Sequence, residues 1–470
     1  MTQDFDRVTK PTSEGKSQSS PPIRQTNALA LFFQFPQHQT NFRREILAGI
    51  ATFFTMSYIL VVNPDILSKA IFLQQSQDLF GELVIATAIS ATIASLIMGL
   101  YAKYPFVLAP GMGLNAYFAF SVVLGLGIDW RVALAAVFIE GLIFIAITVT
   151  GVRTQIVKAI PDCIKRATTA GIGLFLAYIA LSGAGIIIPS ETTTTTLGDL
   201  TQPTTLVAIA GIIITAAFVA RRLIGALLWG ILATALLGWI LAIAPWPETI
   251  LGLPQWPRDL VGQAFVGLTQ AWQTNIWELF GVIFVLFFVD LFDTVGTLTG
   301  LGFNAGYIDE RGEFPRVERA FLADAVGTVG GAIFGTSTVT TYIESASGIA
   351  EGGRSGFTAV FAAILFFLSI FFIPFLAAIP SFATAPALII VGVLMMASIR
   401  GIYWDDPAES IPSFLTILIM PLSYSIADGL AVGIITYPLI KAFQGKIHET
   451  QVVLWILAAV FVFKLAFVRA

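Results

Sequence analysis

Asp290 and Asp293 lie in FFVDLFDTVGTLTG, within an apolar run long enough to cross a bilayer. A carboxylate at that depth is costly unless it is paired, hydrated or protonated, so its default reading is a functional site. Glu344, in GTSTVTTYIESASGIAEGG, and Asn115, in VLAPGMGLNAYFAF, sit in equally apolar surroundings. Carboxylates accept hydrogen bonds and can carry a proton, while an amide offers both a donor and an acceptor. The set Asn115, Asp290, Asp293 and Glu344 suits a polar solute together with a proton bound by one of the carboxylates, Asp293 or Glu344 among them, with Gly113, Thr294 and Thr341 beside them. Asp290 and Asp293 are spaced to share one helix face, and Thr294 and Thr297 follow four residues after each. The plainer alternative is a structural network in which these groups satisfy one another and a broken backbone, Asp293 in particular bonding to nearby backbone. Glu140 and Asp324, also at membrane depth, each read as a structurally paired group, with a direct substrate role as the lesser alternative, and Asp428 reads as a helix cap.

Other chemistries lack their residues. The two histidines, His38 and His448, fall outside the apolar segments, and Cys163 is the single cysteine. Proton chemistry in the membrane therefore falls to carboxylates, and neither a metal site nor a disulfide is expected. The sequence has no nucleotide-binding loop and no Ser and His pair at depth, which disfavours ATP-driven transport and enzymatic activity. No cofactor and no nucleic-acid partner are expected.

These residues must be positioned by a membrane bundle. Apolar residues make up 56% of the chain, charged residues 11%, and mean hydropathy is +0.85. Runs of about 20 apolar residues recur from residue 46 onward, each enough for a spanning helix. The spacing predicts fourteen spans, at 46–63, 83–101, 107–125, 131–151, 162–188, 204–220, 223–244, 276–300, 317–334, 338–351, 356–377, 382–399, 411–425 and 427–444. The organisation expected is a disordered or interfacial cytoplasmic tail (1–40), a seven-span repeat (41–245), an outer connecting loop carrying Trp246, Trp256 and Trp272 (246–275), a second seven-span repeat (276–445) and an apolar C-terminal segment (446–470) that spans or lies along the bundle.

With the tail inside, Lys103, Arg153, Lys158, Lys165, Arg166, Arg221 and Arg222, and later Arg311, Arg316, Arg319, Arg354, Arg400, Lys441 and Lys446, fall on inner loops. Only Lys69, Arg131 and Arg258 stay outside, as a cytoplasmic amino terminus in a cell membrane requires. KAIPDCIKRATTAGIGLFL after the fourth span matches AAIPSFATAPALIIVGVLM after the eleventh. That odd offset of seven spans makes equivalent helices antiparallel, an inverted repeat of the kind secondary transporters use. It also demands that the third and tenth spans both be broken. Pro110, Gly111 and Gly113 break the third; a Thr-rich, β-branched run precedes a short helix in the tenth.

The motifs TFFTMSYILVVNPDIL, APGMGLNAYFAF, FVDLFDTVGTLTG, ADAVGTVGGAIFGTSTVTTYIESASGIAEGGRSGFTA and SIADGLAVGIITY run in order over residues 40–445. In these the chain resembles the AzgA-like adenine, guanine and hypoxanthine permeases, a branch of the nucleobase and cation symporter type 2 family. The resemblance implies an all-α membrane protein of fourteen segments in two inverted seven-helix repeats, with core and gate domains and short strands in the third and tenth segments. It implies purine uptake coupled to protons by alternating access. It places substrate contacts on Asn115, Asp290 and Glu344, and a transport role on Asp293. Thr294 stands where uracil and xanthine relatives place a histidine. Relatives of the fold dimerise through the gate domain, so a homodimer is compatible with it. Rival readings are another solute on the same fold, such as xanthine, uracil or an inorganic anion, and a channel or membrane scaffold.

Overall fold

The computed structural model describes residues 27–151, 160–308 and 314–467. The polar tail up to residue 26, Arg153, Lys158 and Arg311 lie outside them. Fourteen segments follow the expected order: α1 Phe42–Leu67, α2 Phe80–Ala102, α3 Met112–Gly125, α4 Trp130–Thr150, α5 Asp162–Gly183, α6 Pro203–Ala220, α7 Ala226–Ile240, α8 Ile276–Ala305, α9 Val317–Phe334, α10 Ser345–Ala350, α11 Gly356–Ala377, α12 Ser381–Gly401, α13 Pro407–Leu422 and α14 Ile426–Phe443. Nine described helices have both the length and the hydropathy to cross a membrane; α3, α7 and α13 are shorter apolar helices, and α10 has only six residues.

The third and tenth segments are broken as expected. β1 (Leu108–Pro110) precedes α3, and β4 (Val339–Thr341) leads toward α10. The strands pair antiparallel in the register Leu108 to Thr341, Ala109 to Thr340 and Pro110 to Val339. Extended backbone inside a membrane must satisfy its outer edges within the protein. Ser95 of α2 does so for β1: its Oγ accepts from Leu108 N at 2.9 Å and donates to Leu108 O at 3.1 Å. Thr328 of α9 does the same for β4 through Val339 N and O, at 3.3 and 3.0 Å. Val107 is tied across to Tyr342 N and Ser345 Oγ.

The inverted repeat shows again where α5 and α12 cross. Each helix follows one of the matching Ile-Pro turns, with Pro161 and Pro380 at their N-caps. They meet at Gly173 and Gly392, where a Cβ on Gly173 would stand 2.8 Å from Gly392 O and one on Gly392 would stand 2.4 Å from Gly173 O. Helices α1, α2, α4, α9 and α11 pack among themselves, as do α5, α12, α13 and α14. The cavity described below lies between these groups.

Three features differ from the sequence reading. A hairpin, β2 (Ile187–Ser190) with β3 (Thr194–Leu197), follows α5; its β-branched Thr run favours extended backbone. The 246–275 connection contains a helix, Gln263–Gln270, seated on α4, because Gly267 carries no Cβ to strike Arg131 O at 1.9 Å. α3 continues as π-helix over Tyr117–Gly125. The final apolar run forms α15 (Val452–Phe467), which packs on α14 and sets Phe461 against Phe284 of α8.

Candidate functional site

A cavity of about 910 Å³ opens between the broken segments, α8, α5 and α12. Its floor is the start of α3 (Gly111–Leu114) and the stretch Thr340–Glu344. Its wall is the α8 face of Val289, Phe292, Asp293, Gly296 and Thr297, with Ile172 and Val391 opposite. It extends to Asp162, Lys165, Arg166 and Ser398, where Asp162 is 81% exposed, so this end meets solvent.

Besides Asp162 at the open end, two carboxylates face this space from within. Glu344 follows β4 at the position before α10; Tyr58, at the bend of α1, donates its hydroxyl to Glu344 Oε1 at 2.8 Å. Asp293 is half-buried on α8, with the Thr340 side chain of β4 as its hydrogen-bonding neighbour. Gly113 and Thr341 also line the cavity. Gly113 lets α3 approach α5 closely, since a Cβ there would lie 2.5 Å from Ile172 Cγ2.

Asp290 and Asn115 take other places. Both are fully buried and neither lines the cavity. The Asn115 Oδ1 accepts from Ser337 Oγ. Asp290 belongs to a layer behind the strands with Glu140 of α4 and Asp324 of α9, all three fully buried. Thr294 Oγ1 bonds Asp324 Oδ2 at 2.9 Å and lies 3.3 Å from Asp290 Oδ1; Thr341 Oγ1 bonds Asp324 Oδ1 at 3.1 Å. Thr338 Oγ1 bonds Glu140 Oε2 at 3.4 Å. Asn63 of α1 closes a neighbouring polar contact to Thr87 and Thr336.

The sequence reading did not single out Tyr58, Thr340 or Asn63, and treated Glu140 and Asp324 as separate structural groups. The available signal was polarity within otherwise apolar spans: a buried Tyr hydroxyl or Asn amide needs a partner, and the broken segments are where partners converge. Chemically, the cavity offers two inner carboxylate acceptors beside hydroxyls, apolar walls and an entry carrying Asp162, Lys165 and Arg166.

The Permease family model (Xan_ur_permease) matches residues 43–462. A Methanocaldococcus jannaschii protein bearing a permease name is 53% identical over 93% of this chain and 98% of its own length. The guanine/hypoxanthine permease PbuG of Bacillus subtilis is 43% identical over 93% of this chain and 99% of its own. The adenine permease AdeP of Escherichia coli is 39% identical over 93% and 96% respectively. Among solved structures, the transmembrane domain of the cyanobacterial bicarbonate transporter BicA superposes with a TM-score of 0.58 at 17% identity, covering 84% of this chain and 98% of that one, which is a likeness of fold. A family match across nearly the whole chain, joined to a membrane bundle with paired broken segments around a polar cavity, makes this protein a multi-pass transporter of the Permease family.

Proposed function

We propose that this permease takes up purine nucleobases by alternating access, driven by protons. The observation that carries the reading is the pair of cavity-facing carboxylates, Asp293 and Glu344, on opposite sides of the β4 turn. A neutral purine presents adjacent N–H donors and ring acceptors on a flat apolar body. Carboxylates take such donors side by side, and hydroxyls complete the edge. The purine-permease names of relatives about 40% identical across the chain support the substrate class. The same acidic lining disfavours an inorganic anion.

Glu344 and Asp293 then contact the base, and Glu344, held by Tyr58, sets its position. Asp290 and Asn115, expected as ligands, act on the site from behind the strands. Lys165 and Arg166 at the mouth support, through the positive-inside rule, a reading in which the cavity opens to the cytoplasm, the protein is inward-open and the amino terminus lies inside. The two repeats divide in the 246–275 connection.

Uptake of labelled adenine, guanine and hypoxanthine, with unlabelled purines, pyrimidines and anions as competitors, tests the substrate. Purines alone should compete strongly, and Glu344→Gln should lose uptake. Equal competition by an anion would overturn the purine reading, and wild-type-like uptake by Glu344→Gln would overturn its role as ligand.

A further inference from the structure

Glu140 Oε1 and Asp290 Oδ2 are buried oxygens without a hydrogen-bond donor among the described residues. They belong to two carboxyl groups in hydrogen-bonding contact with each other, on α4 and α8. Two bare carboxylates cannot occupy such a site: each would face the other's charge in a medium with almost no water, and Glu140 Oε1 and Asp290 Oδ2 would be left without a donor. One proton between them supplies the missing donor for both oxygens and removes one charge. Among the described residues no Lys or Arg forms an ion pair with Glu140 or Asp290. The titratable groups acting on the pair are acidic, Asp324 from α9 and Asp293 from the next turn of α8. β4 contributes hydroxyls, and the Gln263–Gln270 helix packed on α4 contributes no titratable residue.

This pair is separated from the cavity, yet a line of hydrogen bonds joins the two. Thr341 lines the cavity and bonds Asp324 Oδ1; Asp324 Oδ2 is bonded by Thr294; Thr294 stands 3.3 Å from Asp290 Oδ1. We propose that Glu140 and Asp290 share one proton as the proton-carrying site of the transporter, and that Thr294, Asp324 and Thr341 relay it to the cavity. Release is a sequence of transfers in which no electrons move. Thr294 accepts the proton from Asp290 as it gives its own to Asp324. Asp324 then passes a proton to Thr341, which gives one to water in the cavity. Each hydroxyl gains one proton and loses one, and the pair is left with one negative charge more. Reloading runs the line in reverse. The added charge on α4 and α8 is felt at Asp293 and Glu344, so the protonation state of the layer behind the strands changes how the cavity holds a base. Glu140 is thus a positioning and proton-sharing residue, and Asp290 acts through the proton and does not touch the purine.

The proposal rests on the proton-driven reading above, and its test separates the two. Purified protein in liposomes is given an inward proton gradient, or an inward sodium gradient, with labelled hypoxanthine, and counterflow is followed without any gradient. Infrared spectra of the same protein at neutral pH record the carbonyl absorption of a protonated carboxyl group. Glu140→Gln keeps the shape and places an amide against Asp290; Asp290→Asn does the converse, and purine-dependent thermal shifts confirm that each is folded. Expected are a protonated-carboxyl band in the wild type that disappears in both variants, measurable counterflow, and proton-driven accumulation reduced by about fivefold or more. A wild type driven by sodium and indifferent to protons overturns the proton-driven reading and this site with it. A wild type driven by protons, with Glu140→Gln either retaining the band or accumulating as strongly, overturns the shared-proton site alone.

Discussion

Ser95 and Thr328 make the same two hydrogen bonds, one to the N–H and one to the C=O of the first residue of a strand, from helices seven segments apart. The residues before them also meet, Ala94 Cβ lying 2.8 Å from where a Cβ of Gly327 would be. Two unlike residues thus solve one problem in both repeats: the outer edge of a strand that has no further strand beside it. Ser95→Ala and Thr328→Val each strand a buried N–H and C=O, costing about 1–3 kcal/mol for the unsatisfied group. Thermal unfolding in detergent should show both losses, whereas Thr328→Ser, which keeps the hydroxyl, should stay near wild type.

Tyr58 reaches Glu344 across 286 residues of sequence, from the bend of α1. Tyr58→Phe removes the donor and leaves the ring's packing. A net hydrogen bond to a charged group contributes about 1.5–3 kcal/mol. If Glu344 must be held to receive the base, KM for purine uptake should rise by roughly tenfold or more with a smaller change in maximal rate. An unchanged KM would show that Glu344 is positioned by α10 alone.

Gly113 allows contact between the α3 half-helix and α5 on the cavity wall. A Cβ there meets Ile172 Cγ2 at 2.5 Å, and a β-branched side chain in a helix has little freedom to turn away. Gly113→Ala should therefore slow transport, and adding Ile172→Ala should restore much of the loss. The two substitutions are in contact, so their effects should not add. Additive losses in uptake would place the defect of Gly113→Ala elsewhere.

Asp78 acts outside the membrane, in the loop between α1 and α2. Its carboxylate accepts the backbone N–H of Gln74 at 2.8 Å and those of Leu73 and Gln75, and these bonds, Gln74's foremost, hold its pKa below the usual Asp value. A depressed native pKa contributes order above the unfolded value, near 3.9, and that contribution is lost as pH falls through the lower native pKa. Amide protection over residues 73–79, taken relative to the intrinsic exchange rate at the same pH, should be high at neutral pH and fall in acid. Asp78→Ala should show low protection at both, converging with the wild type at the acid end.

The spans, the two breaks and the inverted repeat were legible because each leaves a one-dimensional trace: apolar length, Pro and Gly inside an apolar run, and the recurring Ile-Pro turn. The division of the carboxylates was not. Asp290 and Asp293 share a face in sequence terms, but at 3.6 residues per turn they are about 60° apart on the cylinder. That angle separates the cavity wall from the layer behind the strands once β4 lies against α8. The position of the strands depends on pairing between residues 108–110 and 339–341, distant in sequence and without a local signature. The β2–β3 hairpin escaped notice for a related reason, since a Thr run beside a membrane span reads equally well as loop.

Away from the cavity mouth, two bonds join the helix groups that must part for the opposite side to open. Thr384, entering α12, donates to Asp65 of α1 at 2.9 Å, and Ser121 of α3 donates to the Tyr424 carbonyl after α13 at 2.8 Å. Asp65 is buried there, with Lys69 at 3.5 Å as its other partner. With the structure read as inward-open, as proposed above, both hydroxyl bonds belong to that arrangement and break when the groups separate, so removing them favours the outward state. Each neutral bond contributes about 1 kcal/mol and one to a carboxylate about 1.5–3 kcal/mol. Thr384→Val with Ser121→Ala should thus raise the outward to inward ratio by roughly tenfold or more. Labelling of a cysteine placed at Ile172 from the cytoplasmic side should slow in proportion, in a background where Cys163 is replaced by Ala. If the labelling rate does not change, these bonds tie the helix groups together equally in both states and are not part of the gate.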